Sequence, residues 1–383
     1  MTSESAVSAR LASAEPDHRY HWSALLVILI GLAAGAWSLG RNFAATVWVF
    51  AGAAALNVVF LSISLVVGLW LARRLMRPVA APPWSGTWIA VLWGGLGAIG
   101  ISLAANTALT SFVTKALGFD IASEWGSALV APINEETAKL LGVILLAAVS
   151  TRLVRSPSDG FVYGALVGLG FQVVENLTYG LNSILGAGGV DPAAMSTLVF
   201  GLRTGTGFWG SHWAMSAVAG AGIGYLVANR GRSRSRRATV AVSCWLLAMA
   251  MHWQFNSPLL SDPQYLFYVK STLNLVIALV VFLVARRAFR THWKYGAADE
   301  VDRGALFPQE ATALSRRRAR ARYLRRYSRP GRQRYLLHLL LRRQLRLLED
   351  RAAGCPGDAA EPQRADIADI RATMAVSESH ESG

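Results

Sequence analysis

The chain has 383 residues, of which 53% are hydrophobic and only 16% are charged, with 13 tryptophans and 35 glycines. This composition excludes an ordinary soluble domain and is typical of a polytopic membrane protein. The net charge of +15 does not indicate nucleic-acid binding, because the basic residues concentrate at the ends of apolar segments and in the C-terminal region. Cys244 lies in an apolar run and Cys355 in the tail, so we expect neither a disulfide framework nor a cysteine metal site.

Residues 1–22 are polar and mixed in charge, and no small-residue cleavage site follows the first apolar run, so we expect a cytoplasmic N-terminal tail rather than a signal peptide. The next region, 23–285, contains eight apolar runs long enough to span a bilayer. They lie near 23–39, 47–71, 88–106, 127–149, 160–180, 207–228, 239–257 and 266–285. A further apolar piece, about 194–204, predicts a short outer or re-entrant helix before the sixth run. The predicted fold is therefore an all-α bundle of about eight transmembrane helices.

The charges of the loops predict the orientation of this bundle. One set of alternate loops carries ten basic residues, whereas the other set carries only Arg41, Lys115 and Lys270. The ten are Arg73, Arg74, Arg77, Arg152, Arg155, Arg230, Arg232, Arg234, Arg236 and Arg237. Because positively charged loops remain in the cytoplasm, we expect a multi-pass protein of the cell membrane with both termini cytoplasmic.

The chain changes character beyond the last apolar run. Residues 286–354 predict a basic, amphipathic cytoplasmic region. Within it, the segment Tyr335–Leu348 has leucines on one side and arginines off that stripe, which predicts a helix lying on the anionic inner leaflet or on a partner helix. Residues 355–383 are small, polar and acidic, so we expect them to be disordered.

The fourth run contains two adjacent acids and a lysine in the stretch Ala131-Pro-Ile-Asn-Glu-Glu-Thr-Ala-Lys139. Charges within a span are costly in hydrocarbon and are by default functional. In a helix, Lys139 lies four residues after Glu135 and three after Glu136, so it can contact one or both acids. A nearby ammonium lets one acid remain charged while the other holds a proton, which makes a candidate general base. The alternative is a structural ion cluster that joins helices.

Ionisable residues are rare in the other spans. Glu175 is the one further acid inside a span, and His212 and His252 are the two histidines of the membrane region. With a rise of about 1.5 Å per residue, helices of alternating direction bring all of these residues into the outer half of the membrane. Phe171 shares a helical face with Glu175, and Asn256 shares one with His252, where it could orient a ring nitrogen or hold an oxyanion. The shared depth predicts a single site.

Four elements, each on its own helix, follow one another in the chain: Glu135-Glu136-x-x-Lys139, Phe171-x-x-x-Glu175, His212 and His252-x-x-x-Asn256. This order, over about residues 120–257, resembles the PrsW family of intramembrane proteases, relatives of the type II CAAX prenyl endopeptidases and the Abi proteins. The CAAX branch has histidine where this chain has Glu175, which favours the PrsW branch over the processing of prenylated proteins. The resemblance implies proteolysis of membrane-anchored substrates such as anti-sigma factors, and the depth of the site places the cleavage near the extracytoplasmic face.

Two hydrolytic mechanisms are compatible with these residues. In one, Glu135 or Glu136 activates a water, and His212 or His252 with Asn256 stabilises the oxyanion or returns a proton, while Lys139 tunes the acid pair. In the other, His212, His252 and either Glu175 or a glutamate of the fourth run hold a divalent metal such as zinc. The chain has no closely spaced pair such as His-Glu-x-x-His, so the sequence leaves both mechanisms open.

Two functions of other classes use the same features. A proton-coupled transporter or channel could employ the acids and histidines as a relay, although inverted repeats are not visible and the polar groups cluster at one depth. A non-catalytic scaffold acting through the basic tail would require the acids to be dispensable. The expected partners are a membrane-anchored protein substrate and the lipid bilayer, without nucleic acid.

Overall fold

The computed structural model describes seven stretches of the chain, which are largely helical: 21–76, 81–150, 152–228, 231–262, 265–327, 331–354 and 357–381. No β-strand occurs among these described residues. They form two compact units, the first ending at Arg286 and the second beginning at Arg287. The predicted all-α fold is confirmed.

Nine helices begin within the described part of the first unit, and every predicted apolar run has a helix. They are α1 (Trp22–Val49), α2 (Ala51–Met76), α3 (Trp84–Leu117), α4 (Phe119–Val149), α5 (Pro157–Gly186), α6 (Pro192–Gly207), α7 (His212–Ala228), α8 (Arg234–Asn256) and α9 (Leu266–Asp302). Helix α6 contains the predicted short piece before the sixth run, and α9 continues into the second unit.

Six of these helices are long and apolar enough to cross a membrane, namely α1, α2, α3, α5, α8 and α9. Helix α4 has the length, but it carries Glu135, Glu136 and Lys139 within its apolar part. Helix α7 has only 17 residues, most of them buried within the unit. The described chain is therefore a multi-pass membrane protein, and spanning by α4 and α7 stays a prediction.

The three basic residues that we assigned to outer loops lie inside helices instead. Arg41 belongs to α1, and Lys115 lies in the last turn of α3. Lys270 is buried in α9, where its ammonium donates to the carbonyl of Ser257 (2.6 Å) and to the hydroxyl of Ser261 (3.0 Å). Because these oxygens satisfy the ammonium, a loop is not needed to expose it to water. The orientation with both termini cytoplasmic stays a prediction.

Small residues bring α5 and α7 into direct backbone contact. A Cβ atom added to Gly160, Gly164 or Gly168 of α5 would collide with backbone atoms of α7, at Gly220, Ser216 and His212 respectively. Close approach through glycines spaced four apart is a common way of packing membrane helices. It places the beginning of α7, and with it His212, beside the middle of α5.

Helix α4 is held by an irregular part of α3. The segment Trp93–Ala98 of α3 is π-helical, a feature that often accompanies functional sites. The indole Nε1 of Trp93 donates to the carbonyl of Ala138 in α4 (2.9 Å), and its ring fills the space left by Gly142. These contacts fix the turn of α4 that follows the two glutamates.

The second unit contains the end of α9 and four further α-helices in its described residues: α10 (Pro308–Leu314), α11 (Arg317–Tyr327), α12 (Arg332–Ala352) and α13 (Glu361–Glu381). Its apolar core includes Leu306, Leu314, Leu337, Leu340, Leu341, Leu347, Leu348, Ile367 and Ile370. Glu300 is fully buried and accepts two hydrogen bonds from the guanidinium of Arg364, through Nε (2.7 Å) and Nη2 (2.8 Å). This bidentate pair ties α13 to α9 within the unit.

The structure decides between two alternatives for one predicted segment of this region and contradicts another prediction. The segment Tyr335–Leu348 does form a helix, and its leucine face packs against other helices of the same unit, including α13, rather than on the inner leaflet. Disorder of residues 355–383 is contradicted for 361–381, which form α13. Ile367 and Ile370 lie on one face of that helix and are buried, and their burial offsets the entropy lost on ordering.

Candidate active site

Helix α4 presents both glutamates and the lysine to the interior of the first unit. Glu135 is 4% exposed, and Glu136 and Lys139 are fully buried. The Nζ atom of Lys139 lies 2.8 Å from Oε1 of Glu136 and 3.4 Å from Oε2 of Glu135. The helical spacing therefore brings the lysine to both acids, as predicted.

Three other helices complete the cluster with Glu175 from α5, His212 from α7 and His252 from α8. His212 places Nε2 2.8 Å from Oε2 of Glu175 and Nδ1 2.9 Å from Nζ of Lys139. His252 places Nδ1 3.0 Å from Oε1 of Glu136, and the centroids of the two imidazole rings are 5.0 Å apart. All five residues predicted to be catalytic meet in one place.

The partners of each imidazole determine where its proton lies. The ammonium of Lys139 can only donate, so Nδ1 of His212 accepts and Nε2 carries the proton that is donated to Glu175. A carboxylate can only accept, so Nδ1 of His252 donates to Glu136. In the neutral ring this leaves a lone pair on Nε2, which lies 3.8 Å from Oε2 of Glu135. Each histidine thus gives one proton to a carboxylate and has a lone pair on its other nitrogen, which in His212 accepts from Lys139.

Besides Lys139, two further supporting residues were predicted, Phe171 and Asn256, and they behave differently. Phe171 is 1% exposed, and its ring lies 3.9 Å from Nζ of Lys139 and 5.0 Å from the ring of His212, so it packs against the site. Asn256 does not contact His252 and instead donates to the carbonyl of Ser127 (3.4 Å). Asn256 therefore does not orient a ring nitrogen of His252, because glutamates already face both nitrogens. Its predicted role at an oxyanion stays a prediction.

The sequence reasoning missed three residues that contact the site. Asn106 of α3 donates to Oε1 of Glu135 (3.0 Å), and the hydroxyl of Ser216 donates to Oε2 of Glu136 (3.4 Å). Arg203 of α6 places Nη2 2.5 Å from Oε2 of Glu175. A census restricted to acids and histidines could not find them. The available signal was that Arg203 is the one charged residue in the apolar piece 194–204.

Glu135, His212 and His252 could hold a metal ion, since one ligand atom from each lies within 4.8 Å of the others. Oε2 of Glu135 is 4.0 Å from Nδ1 of His212 and 3.8 Å from Nε2 of His252. Glu175 contacts the opposite nitrogen of His212, so the glutamate of α4, rather than Glu175, belongs to this group. Two histidines and one glutamate form a ligand set of catalytic zinc.

The surroundings of this group also fit a metal. Metal-binding histidines usually donate their second ring proton to a carboxylate or carbonyl. Here, His212 donates to Glu175, and His252 donates to Glu136. The ammonium of Lys139 lies beside Glu135 and His212, so it faces the same lone pairs that an ion would use.

Comparison with known protein families identifies the family of this chain. Residues 82–285 match the family described as PrsW family intramembrane metalloprotease, and the match covers more than half of the chain. This chain belongs to the PrsW family. The resemblance predicted from four short elements is confirmed, over a longer range that also includes α3. No curated protein and no solved structure matches the chain.

Membership of the PrsW family makes the chain an intramembrane protease of a family described as metalloproteases. The matched range contains every residue of the site, from Asn106 on α3 to His252 on α8. It stops before Arg287, so the second unit lies outside the PrsW match.

Proposed function

We propose that this PrsW-family chain is an intramembrane endopeptidase that hydrolyses a peptide bond in membrane-anchored proteins. Glu135, His212 and His252 hold a divalent metal such as zinc. One observation carries the proposal: each of these histidines donates a ring proton to a carboxylate, while its other nitrogen faces Lys139 or Glu135. A structural ion cluster has no need to orient both imidazoles in this way.

A bound divalent ion supplies Lewis acidity toward the peptide carbonyl and makes a water easier to deprotonate. Glu136 takes the proton of the attacking water and passes it to the leaving amine. Its Oε1 accepts from Lys139 and His252, so Oε2, which faces Ser216 at 3.4 Å, is the oxygen left to receive that proton. Lys139 balances the charge of the glutamate pair, and Phe171 packs over its ammonium.

The substrate is an anchored protein cut near the extracytoplasmic face, and the PrsW resemblance favours an anti-sigma factor. Support for the location comes from the arginine-rich loops and from the shared depth of the site residues along their helices. A peptide bond within a helix is shielded by its closed backbone hydrogen bonds, so the cut segment must first unwind. Juxtamembrane segments, or helices weakened by glycine or proline, are the preferred substrates.

The second unit contacts the anionic inner leaflet through α11. With the leucine face of α12 buried, α11 is the strongly basic helix that stays at the surface. Its exposed arginines are Arg317, Arg318, Arg322, Arg325 and Arg326. Clustered arginines on the cytoplasmic side of a membrane protein favour anionic headgroups.

The test of the enzymatic proposal uses full-length protein in liposomes with membrane-anchored reporter peptides. We expect the wild-type protein to cut at least one reporter, chelator to stop cleavage and added zinc to restore it. Glu136→Gln should lower the rate by about 10²–10⁴-fold. The proposal fails if Glu136→Gln and chelator both leave the rate of cleavage unchanged.

A further inference from the structure

Helix α6 is anchored to the bundle by contacts that lie away from the site. Near its beginning, the hydroxyl of Ser196 accepts a hydrogen bond from Asn57 of α2 (2.9 Å), and Asn57 is 2% exposed. One turn further on, the ring of Phe200 stacks on Phe60 with centroids 4.7 Å apart. These two contacts hold α6 without involving the cluster of glutamates and histidines.

The next turn of α6 carries Arg203, whose guanidinium meets three residues of α5. Nη2 contacts Oε2 of Glu175 (2.5 Å), and Nε donates to Oδ1 of Asn176 (2.6 Å). The centre of the guanidinium lies 3.7 Å from the ring centroid of Tyr179. The planar group is therefore fixed by two hydrogen bonds and a stacked ring, an arrangement that lysine cannot reproduce.

The oxygen bound by Arg203 is the same oxygen that accepts the proton of His212. Oε2 of Glu175 lies 2.5 Å from Nη2 of Arg203 and 2.8 Å from Nε2 of His212. The side chain of Arg203 is 27% exposed and that of Glu175 is 14% exposed, whereas that of His212 is 5% exposed. Without the guanidinium, Glu175 could turn toward water, and the proton on Nε2 of His212 would lose its acceptor. This tautomer would then depend on the contact of Nδ1 with the ammonium of Lys139.

We propose that Arg203 is a positioning residue of the active site. Through Glu175 it acts together with Lys139 to keep the proton of His212 on Nε2, so that the lone pair of Nδ1 faces Glu135 and Lys139. The importance of this orientation for hydrolysis rests on the proposed function, but the effect of Arg203 on His212 does not. A competing explanation is that Arg203 only fastens α6 to α5.

The experiment measures the tautomer of His212 by NMR of full-length, ¹⁵N-histidine-labelled protein in lipid nanodiscs. The signal of His212 is identified by its loss in His212→Gln. We expect the wild-type ring to carry its proton on Nε2, Arg203→Gln to give a mixture of both tautomers, and Arg203→Lys to give a smaller change in the same direction. The matched control is Asn57→Ala, which weakens the anchoring of α6 but should leave the signal of His212 in place.

A second measurement follows zinc binding by competition with a chromophoric chelator. Changes in the outer partners of metal ligands weaken binding by about 10–100-fold, so we expect a loss of about tenfold in Arg203→Gln and none in Asn57→Ala. If the wild-type protein bound no zinc, the proposed metal site would be wrong, and the NMR result would still decide the role of Arg203. An unchanged tautomer in both Arg203 variants would overturn the proposal, as would an equal change in Asn57→Ala.

Discussion

The ammonium of Lys139 lies 2.9 Å from Nδ1 of His212, one of the atoms that could bind a metal ion. It also lies 3.4 Å from Oε2 of Glu135, a second atom of that group. The lysine therefore neutralises the acids in the absence of a metal and repels a cation that approaches the same atoms. These two effects have opposite consequences for stability and for metal affinity.

The substitution Lys139→Met should separate the effect of the lysine on stability from its effect on metal affinity. Removing one partner of a buried charge cluster costs about 3–5 kcal/mol, so the metal-free variant should unfold at a lower temperature than the wild type. Zinc should then stabilise the variant more than it stabilises the wild type, because the competing charge is gone. Thermal unfolding of full-length protein with and without zinc measures both effects. A zinc-induced shift no larger in the variant would contradict the competition between lysine and metal.

Substitutions of the two adjacent glutamates should have different effects on zinc binding and on cleavage. Glu135→Gln should lose zinc binding and cleavage together, because Glu135 belongs to the candidate metal group. Glu136→Gln should retain most zinc binding and still lose cleavage by about 10²–10⁴-fold, because Glu136 acts on a proton. Zinc content after dialysis and the rate of reporter cleavage distinguish the two variants. Equal loss of zinc from both would show that Glu136 is a ligand as well.

His252 and Asn256 share a face of α8 but should differ sharply in importance. His252→Ala should abolish cleavage while the protein still inserts, since it removes a candidate ligand and the partner of Glu136. Asn256→Ala should lower the rate less than tenfold, because that side chain contacts the carbonyl of Ser127 rather than the imidazole. Reporter cleavage at matched protein levels gives the comparison. A severe loss in Asn256→Ala would contradict this expectation and support the predicted role of Asn256 at an oxyanion.

The orientation of the bundle can be tested with two single cysteines in a background lacking Cys244 and Cys355. Leu259, which is 52% exposed, follows α8 at the end opposite to Ser235, which is also exposed. A membrane-impermeant thiol reagent should label Leu259→Cys in intact cells and Ser235→Cys only after permeabilisation. The reverse labelling pattern would show that the site lies in the cytoplasmic half of the membrane.

Binding of α11 to anionic lipid should appear as slower hydrogen exchange. In nanodiscs that contain phosphatidylglycerol, peptides from 317–327 should be protected relative to nanodiscs of phosphatidylcholine alone, and salt should reduce the difference. Peptides from α12, whose leucine face is buried, serve as the internal control. Equal exchange of α11 in both lipids would show that its arginines contact something other than the leaflet.

The helices of the first unit and most of the site residues were predictable from the amino-acid sequence. Apolar runs of membrane length have few alternatives to helix, because backbone groups in lipid must bond within their own segment. Glu135, Glu136, Glu175, His212 and His252 were identifiable because ionisable groups in such runs are costly and therefore rare. That cost depends on the type of residue, so the amino-acid sequence is enough to identify these positions.

Which atoms of these residues face one another could not be predicted and follows from the packing of the helices. Glu175 and Glu135 are equally acceptable as ligands by type, and the choice follows from which ring nitrogen of His212 each one meets. Asn106 is unremarkable in sequence, because an amide is less costly in a span than a charge. Arg203 stands out as the one charged residue of its apolar piece, but the sequence does not identify its partner. The leucine face of α12 is a second example. An amphipathic pattern predicts that the apolar face is buried, but it does not identify the surface against which that face packs. Pairing between distant segments depends on how whole helices pack, and local pattern does not contain that information.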